Sequence, residues 1–454
     1  MQSIDPADGG LIQTYDIFTD ARVDAALDEA HASFSRRRST GWGDRATLLN
    51  GVARELRAAA EELAGMVSRE MGKPIGEAEA EVEKCAWACE HYAERGEEYL
   101  ASERIETGDG RKVVVHKRPL GVVLAIMPWN YPLWQAIRAA APILSAGNAF
   151  VLKHASNVTG CGLLLEDVFE RAGAEGLFKT IVVSGRRASE LIADPRIAGV
   201  TLTGSDAAGV SVGEAAGRAI KPVVLELGGS DAFIVLGDAD LERAVEVAVT
   251  ARFQNTGQSC IAAKRFIVVE SAAAEFEERF ARAAADLRRG APTDPETQLG
   301  PMAREDLRDE LAEIVGASVS AGATILTGGK APDEAGAWYE PTVISAEANS
   351  AAPVLREETF GPVAAVARVA DEAAAIALAN ESEFGLGSSL WTEDLERAEA
   401  LAAEIEAGMV FVNAMTASDP RIPFGGVKRS GVGRELGGEF GMRAFLNLQA
   451  VVLT

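Results

Sequence analysis

The chain has 454 residues, 48% of them hydrophobic and 25% charged, a balance that fits a globular protein of two or three domains with large cores. Its four cysteines are too few for a disulfide-stapled secreted fold, so a reducing compartment is expected. A net charge of -24 opposes binding to nucleic acid or an anionic membrane surface, and an anionic substrate would need its own local cation, since salt screens distant fields beyond about 8 Å.

The opening "MQSIDPADGG" holds two aspartates, no Lys or Arg and no apolar core, so no signal peptide is expected there. No apolar run reaches the roughly 18 residues of a membrane span, and a cytoplasmic location is expected. The first hundred residues read as helices, with apolar positions three and four apart in "ARVDAALDEAHASF" and in "IGEAEAEVEKCAWACEHYAERGEEYL". Cys85 and Cys89 share a face of the second helix and read as packing residues, because no second ligand pair exists for a metal. "ERIETGDGRKVVVHKRP" predicts a β-hairpin turning at "GDG".

From Gly121 short apolar strands alternate with helices: "GVVLAIM", "NAFVLK", "FKTIVV", "IAGVTL" and "KPVVLEL" predict a doubly wound parallel sheet. A second series runs from Asp231 to about Val412, with "AFIVL", "RFIVV", "ATILT", "PVAAVARV" and "GSSLW" as strands. "MRAFLNLQAVVL" reads as a last strand, and no repeat or low-complexity block stands out.

Two α/β halves point to a nucleotide site, yet no G-x-G-x-x-G follows any predicted strand. In its place "TLTGSDAAG" runs from a strand through Gly204 and Ser205 into a helix, whose N-terminal N–H groups suit a phosphate; turns of this composition also occur with no ligand. Lys153 ends the strand of "FVLKHAS", as a ligand-facing cation or a solvated charge. Glu226 in "LELGG" lies between leucines, which raises a carboxyl pKa and suits a general base, or marks a buried acid satisfied by backbone. Cys260 in "FQNTGQSCIAAKR" has small and polar neighbours that leave room for a substrate, whereas a structural cysteine wants apolar packing. Asn130 in "MPWNYPLW" offers an amide donor to a developing oxyanion, or caps a turn or helix.

Together "MPWNYP", "VLKHAS", "TGSDAAG", "LELGG", "GQSC", "EETFGPV" and "PFGGVKRSGVGRE" resemble, in order and rough spacing, the motifs of the aldehyde dehydrogenase superfamily over nearly the whole chain. The resemblance implies an α/β fold of two doubly wound domains plus a small β oligomerisation domain. The implied division is 1–102 and 119–227 for cofactor binding, 228–425 for catalysis, and 103–118 with 426–454 for assembly into a homodimer or homotetramer. It implies Cys260 as nucleophile, Asn130 with the Cys260 N–H as oxyanion hole, and Glu226 as the base for thioester hydrolysis. On the cofactor side it implies Lys153 at the adenosine ribose, Trp129, Gly204 and Ser205 along the cleft, and Glu358 with Phe360 at the nicotinamide ribose and ring. No metal site is expected.

"KHASN", "GQSCIAAKRF" and "SDPRIPFGGVKRSGVGRELG" are most similar to short bacterial succinate-semialdehyde dehydrogenases. In that group Arg138 matches a carboxylate-binding arginine, roughly 12 Å from Asn130 if the intervening residues are all helical, and Ser418 a serine that assists it. Gln254 departs from a second arginine found in some members, leaving one expected cation where those have two. Glutarate semialdehyde or an uncharged aliphatic aldehyde are the alternative substrates, and a catalytically silent homologue acting as a binding protein is the alternative of another class. A CoA-acylating reaction would not need Glu226. Ser156 stands where relatives that prefer NAD commonly carry glutamate; without that carboxylate, NADP is expected to be preferred and NAD usable.

Overall fold

The computed structural model describes residues 1–453. Two sheets organise it. In the first the strands lie in the order Gly431–Val432, Val223–Glu226, Ile197–Thr203, Val122–Met127, Ala149–His154 and Phe178–Thr180, all parallel except the first. These segments are apolar because helices cover both faces of the sheet: Val122, Val123, Leu124 and Ala125 are all fully buried. The chain leaves Val122–Met127 toward Ala149–His154 on one side and later returns to Ile197–Thr203 on the other. That reversal opens a crevice at the carboxyl ends of the central strands, where open α/β sheets bind ligands. The loops carrying Trp129 and Asn130, Lys153 and Ser156, and Gly204 and Ser205 all leave from this edge.

The second sheet has the order Thr324–Thr327, Thr342–Glu347, Val363–Val369, Ala263–Val269, Asp231–Val235, Gly387–Trp391 and Met409–Val412, parallel except for its first strand. Each sheet anchors its own apolar core. Only Leu227–Ser230 separate the strand ending at Glu226 from the one starting at Asp231, so the carboxyl edge of the first sheet passes directly to the amino edge of the second. Cys260 precedes Ala263–Val269 at that same amino edge.

Sequence patterning misses some elements. Residues 2–14 form a hairpin of Gln2–Ile4 with Leu11–Thr14, closed by Asp5 accepting from the Ala7 N–H at 2.9 Å and by Gly9 at φ 77°. Thr342–Glu347 is a further interior strand, and in the tail Glu439–Arg443 is helical, leaving Leu446–Leu453 as strand. That strand pairs antiparallel with Lys112–Pro119, itself hairpinned to Glu103–Glu106, in a separate three-stranded sheet. Gly431–Val432 joins the first sheet.

The helix Ile75–Tyr99 braces the crevice through a fully buried ion pair of Lys73 with Glu81. Glu81 Oε1 also accepts the N–H groups of Leu133 and Trp134, both at 2.8 Å, and so caps the helix Trp134–Ser145, which has no side-chain cap of its own sequence. Glu81→Leu would strand a buried ammonium and two N–H donors. It is expected to destabilise the protein by about 3–5 kcal/mol, read as an earlier urea-unfolding midpoint; an unchanged midpoint would show that this carboxylate does not hold the two helices together.

Candidate active site

The helix Leu241–Phe253 ends in a tight stretch, Gln254–Gly257, with Asn255, Thr256 and Gly257 at φ 55°, 54° and 71°. The left-handed region is costly for a β-branched threonine, so the surroundings must impose it. Several contacts do. Glu77 accepts the Asn255 N–H at 2.7 Å, and Asn255 Nδ2 donates to the carbonyls of Asn130 at 2.8 Å and Gln258 at 3.0 Å. A Cβ on Gly257 would lie 2.3 Å from the Gly361 carbonyl, so only glycine fits. Beneath the turn the fully buried Arg252 donates to the carbonyls of Gly257, Thr359, Gly361 and Ala263. Lys264, also fully buried, donates to the carbonyls of Ser259 at 2.8 Å and Cys260 at 2.7 Å.

This loop presents the Cys260 side chain, free and only partly buried, to a cavity of about 150 Å³. Burial pushes the thiol up to about 11; the charges of Arg138 and Lys264 pull against that, and Glu358 and Asp231 add to it. The other three cysteines are free and buried, with thiols raised further from ionisation by burial. Asn130 lies in the loop before the helix Trp134–Ser145 and does not cap it. Its Nδ2 donates to Gln258 O at 3.0 Å, which leaves its second amide hydrogen for another acceptor. His154 fixes the same loop. Its Nδ1 accepts the Ala155 N–H, so Nε2 carries the proton and donates to Pro132 O at 2.8 Å, and burial lowers its pKa to about 4, keeping it neutral.

Glu226 ends its strand fully enclosed, with neither carboxyl oxygen hydrogen-bonded among the described residues. Burial first and Glu435 second hold it well above the usual carboxylate range, against Arg138 and Arg434. It does not line the Cys260 cavity.

Arg138 does line it, yet differs from the free carboxylate ligand expected. Its guanidinium is buried, with Nε 2.5 Å from Glu435 Oε2, Nη2 donating to Thr203 Oγ1 at 3.2 Å and Cζ 4.3 Å from the Phe424 ring centre. Most of its charge is therefore compensated within the protein. Only the part of the segment from Trp134 onward is helical, so the spacing argument from Asn130 also fails. Ser418 lines the same cavity, and so does Lys84, which sequence reasoning passed over. Glu77, Glu81 and Lys84 recur four and three residues apart on one helix face; charges at that spacing ordinarily mark a solvated face, which hid their inward aim.

Along the crevice Lys153 is partly buried, its pKa lowered by burial, and no carboxylate lies within 4 Å of it among the described residues. The exposed Ser156 hydroxyl caps neither its own short helical turn nor the helix Thr159–Arg171. Ser205 caps Asp206–Ala219, and the Gly204 N–H is taken by Glu226 O at 3.0 Å. Trp129 and Phe360 meet edge to face at 5.6 Å. Glu358 accepts from the Gly229 N–H at 3.0 Å and from Lys264 at 3.2 Å, over Gly228, where a Cβ would come within 2.5 Å of its Oε2. A half-buried ammonium without a counter-ion, a free hydroxyl and a walled aromatic slot fit an anionic nucleotide.

A sequence model described as "Aldehyde dehydrogenase family" matches residues 1–451. The chain is 49% identical over 452 residues to succinate-semialdehyde dehydrogenase (NADP(+)) 1 of Mycobacterium tuberculosis (strain ATCC 25618 / H37Rv), covering 99% of this chain and 98% of that one. It is also 49% identical over 450 residues to the succinate semialdehyde dehydrogenase (NAD(P)+) Sad of Escherichia coli (strain K12), covering 99% and 97%. Its structure superposes with TM-score 0.96 on the crystal structure of succinic semialdehyde dehydrogenase from Streptococcus pyogenes in complex with NADP+, at 37% identity over 100% of this chain and 99% of that one.

Burial pushes the Cys260 thiol up to about 11, so it is protonated at pH 7 in the free protein. Iodoacetamide labelling of Cys260, followed by peptide mass spectrometry, is expected to accelerate with pH throughout pH 7–10. A plateau reached near pH 7 would show a pre-ionised thiol instead.

Proposed function

Since the chain belongs to the aldehyde dehydrogenase family, we propose that it oxidises succinate semialdehyde to succinate, with NADP as the preferred acceptor and NAD as a usable one. The observation that carries this reading is that one cavity holds both the Cys260 thiol and the ammonium of Lys84, unpaired among the described residues. The names of the relatives support it in the same direction.

The Cys260 thiol loses its proton to solvent water, the sulfur adds to the aldehyde carbon, and the oxygen of the resulting thiohemiacetal takes the negative charge. The free amide hydrogen of Asn130 and the N–H of Cys260 receive that charge; the latter has no acceptor among the described residues. A nicotinamide nucleotide, when bound, would supply the hydride acceptor for this oxidation. Lys153 and Ser156 serve its adenosine-ribose phosphate, Trp129, Gly204 and Ser205 line its path, and Glu358 with Phe360 hold the nicotinamide end. Glu226, once its own proton has passed to solvent, takes a proton from the water that attacks the thioester and returns it to the departing Cys260 sulfur, releasing succinate and restoring the thiol. Having no hydrogen bond to break, its carboxyl is free to turn toward that water.

The same reading places the enzyme in the cytoplasm as a homodimer or homotetramer, away from nucleic acid and membrane. Its free cysteines suit that compartment, and among the described residues no helix is long and apolar enough to cross a membrane. The three-stranded sheet exposes Ile105 on one edge strand and Leu448, Val452 and Leu453 on the other, apolar positions suited to contact with a second copy.

A panel of aldehydes assayed with both nucleotides tests the assignment. Cys260→Ala is expected to abolish oxidation, whereas Glu226→Gln, which replaces a protonated carboxyl by a neutral isostere, should give one burst of reduced nucleotide per active site and then stall. Steady turnover in Cys260→Ala would sink the mechanism. Ser156→Glu sets a carboxylate against the 2'-phosphate, where a like-charge pair at about 4 Å costs roughly 4 kcal/mol before screening at an effective dielectric near 20. Its kcat/KM should collapse with NADP and hold or rise with NAD; a parent enzyme that ignores NADP would overturn the cofactor reading.

A further inference from the structure

We infer that Lys84, with Ser418 as its fixed partner, is the cation that receives the distal carboxylate of the substrate and so sets the preference for ω-carboxylated aldehydes; this rests on the substrate reading above. Arg138 faces the same cavity but is already paired with Glu435, so that pair contributes almost no net charge. Position 254, a glutamine lining the cavity, contributes none either. Lys84 differs. Among the described residues no carboxylate lies within 4 Å of its Nζ, since the nearby Glu81 is engaged by Lys73 and Asp419 by Arg421. It is the uncompensated positive charge that an anionic substrate needs in a protein of net charge -24.

Hydrogen-bond accounting at Ser418 sharpens the inference. Lys84 Nζ donates to its Oγ at 2.8 Å, and Trp134 Nε1 donates to the same atom at 3.0 Å. A serine hydroxyl has two acceptor lone pairs and one hydrogen, so both lone pairs are filled and the hydrogen must point to a third atom. The serine is thereby locked as a donor. The Trp134 ring, 4.5 Å from Nζ, steadies the ammonium from one side, and two of the three ammonium hydrogens stay available. Two N–H donors, one O–H donor and a net positive charge within one cavity match a carboxylate. Burial and the charge of Arg138 lower the Lys84 pKa to about 8, with Cys85, Glu81 and Asp419 opposing, so the ammonium form still dominates at neutral pH.

The test compares Lys84→Met and Lys84→Arg with the parent, using succinate semialdehyde and butanal with NADP. In Lys84→Met the ratio of kcat/KM for succinate semialdehyde over butanal is expected to fall roughly 10- to 150-fold, the range for a lost hydrogen bond to a charged group, chiefly through KM. Lys84→Arg, which keeps a cation, should hold the ratio within a few-fold of the parent. An unchanged ratio in Lys84→Met, or equal losses on both aldehydes, overturns the role of Lys84. The parent distinguishes the two levels of failure: one that does not favour succinate semialdehyde over butanal overturns the substrate assignment and this inference with it, whereas a parent that favours it beside a Lys84→Met that favours it equally overturns this inference alone.

Discussion

The guanidinium of Arg252 is the contact on which the rest of the site depends. It is wholly buried, faces carbonyl oxygens and no carboxylate, and is pushed down to about 9 by that burial. A buried cation satisfied only by backbone is costly, and it persists where it fixes something the chain would not otherwise adopt. Here it fixes three successive left-handed residues ahead of Cys260. Three of its four carbonyl partners come from two loops, one carrying Gly257 and the other Thr359 and Gly361. The nucleophile loop and the loop bearing Glu358 and Phe360 are therefore held in one register. Lys264 repeats the device one step closer to the chemistry, joining the Ser259 and Cys260 carbonyls to Glu358.

A second layer of constraint comes from the helix Ile75–Tyr99, which sends three charged side chains inward at three different levels. Glu77 holds the Asn255 N–H, Glu81 caps the helix that carries Arg138, and Lys84 meets Ser418. Glu77 is pushed up to about 7 by burial, against Lys73 and its own hydrogen bond, and Glu81 adds to the rise. One rigid element thus positions the nucleophile loop, the floor of the cavity and its cation together. A shift of this helix would disturb all three.

Much of this was legible in the sequence, and the limits have physical causes. Interior strands such as "GVVLAIM" and "RFIVV" are covered on both faces, so their composition alone marks them. The amino-terminal hairpin is made of strands of three and four residues, mostly exposed or partly exposed, which leaves no apolar alternation to read. Cys260 stands out by its small and polar neighbours, Glu226 by the leucines that flank it and Asn130 by its amide donor, each a local signal. The partnership of Arg138 with Glu435 is not local, since the two are brought together only by the fold. Lys84 was hidden for the same reason. A lysine on an amphipathic helix looks solvated until the loop carrying Ser418 closes over it.

The grouping of Glu226, Glu435 and Arg138 shows how a single arginine serves two functions. Glu226 and Glu435 are buried beside one guanidinium, and the direct contact with Arg138 goes to Glu435. Glu226, held well above the usual carboxylate range, is protonated at rest and must lose that proton before it can act as a base. Because Arg138 also lowers the thiol of Cys260, removing it would unpair Glu435, alter the proton held by Glu226 and raise the nucleophile further from ionisation at once. Substitution of Arg138 therefore cannot isolate carboxylate recognition, whereas Lys84 can be changed without breaking any ion pair among the described residues. The structure separates the charge that tunes the chemistry from the charge that selects the substrate.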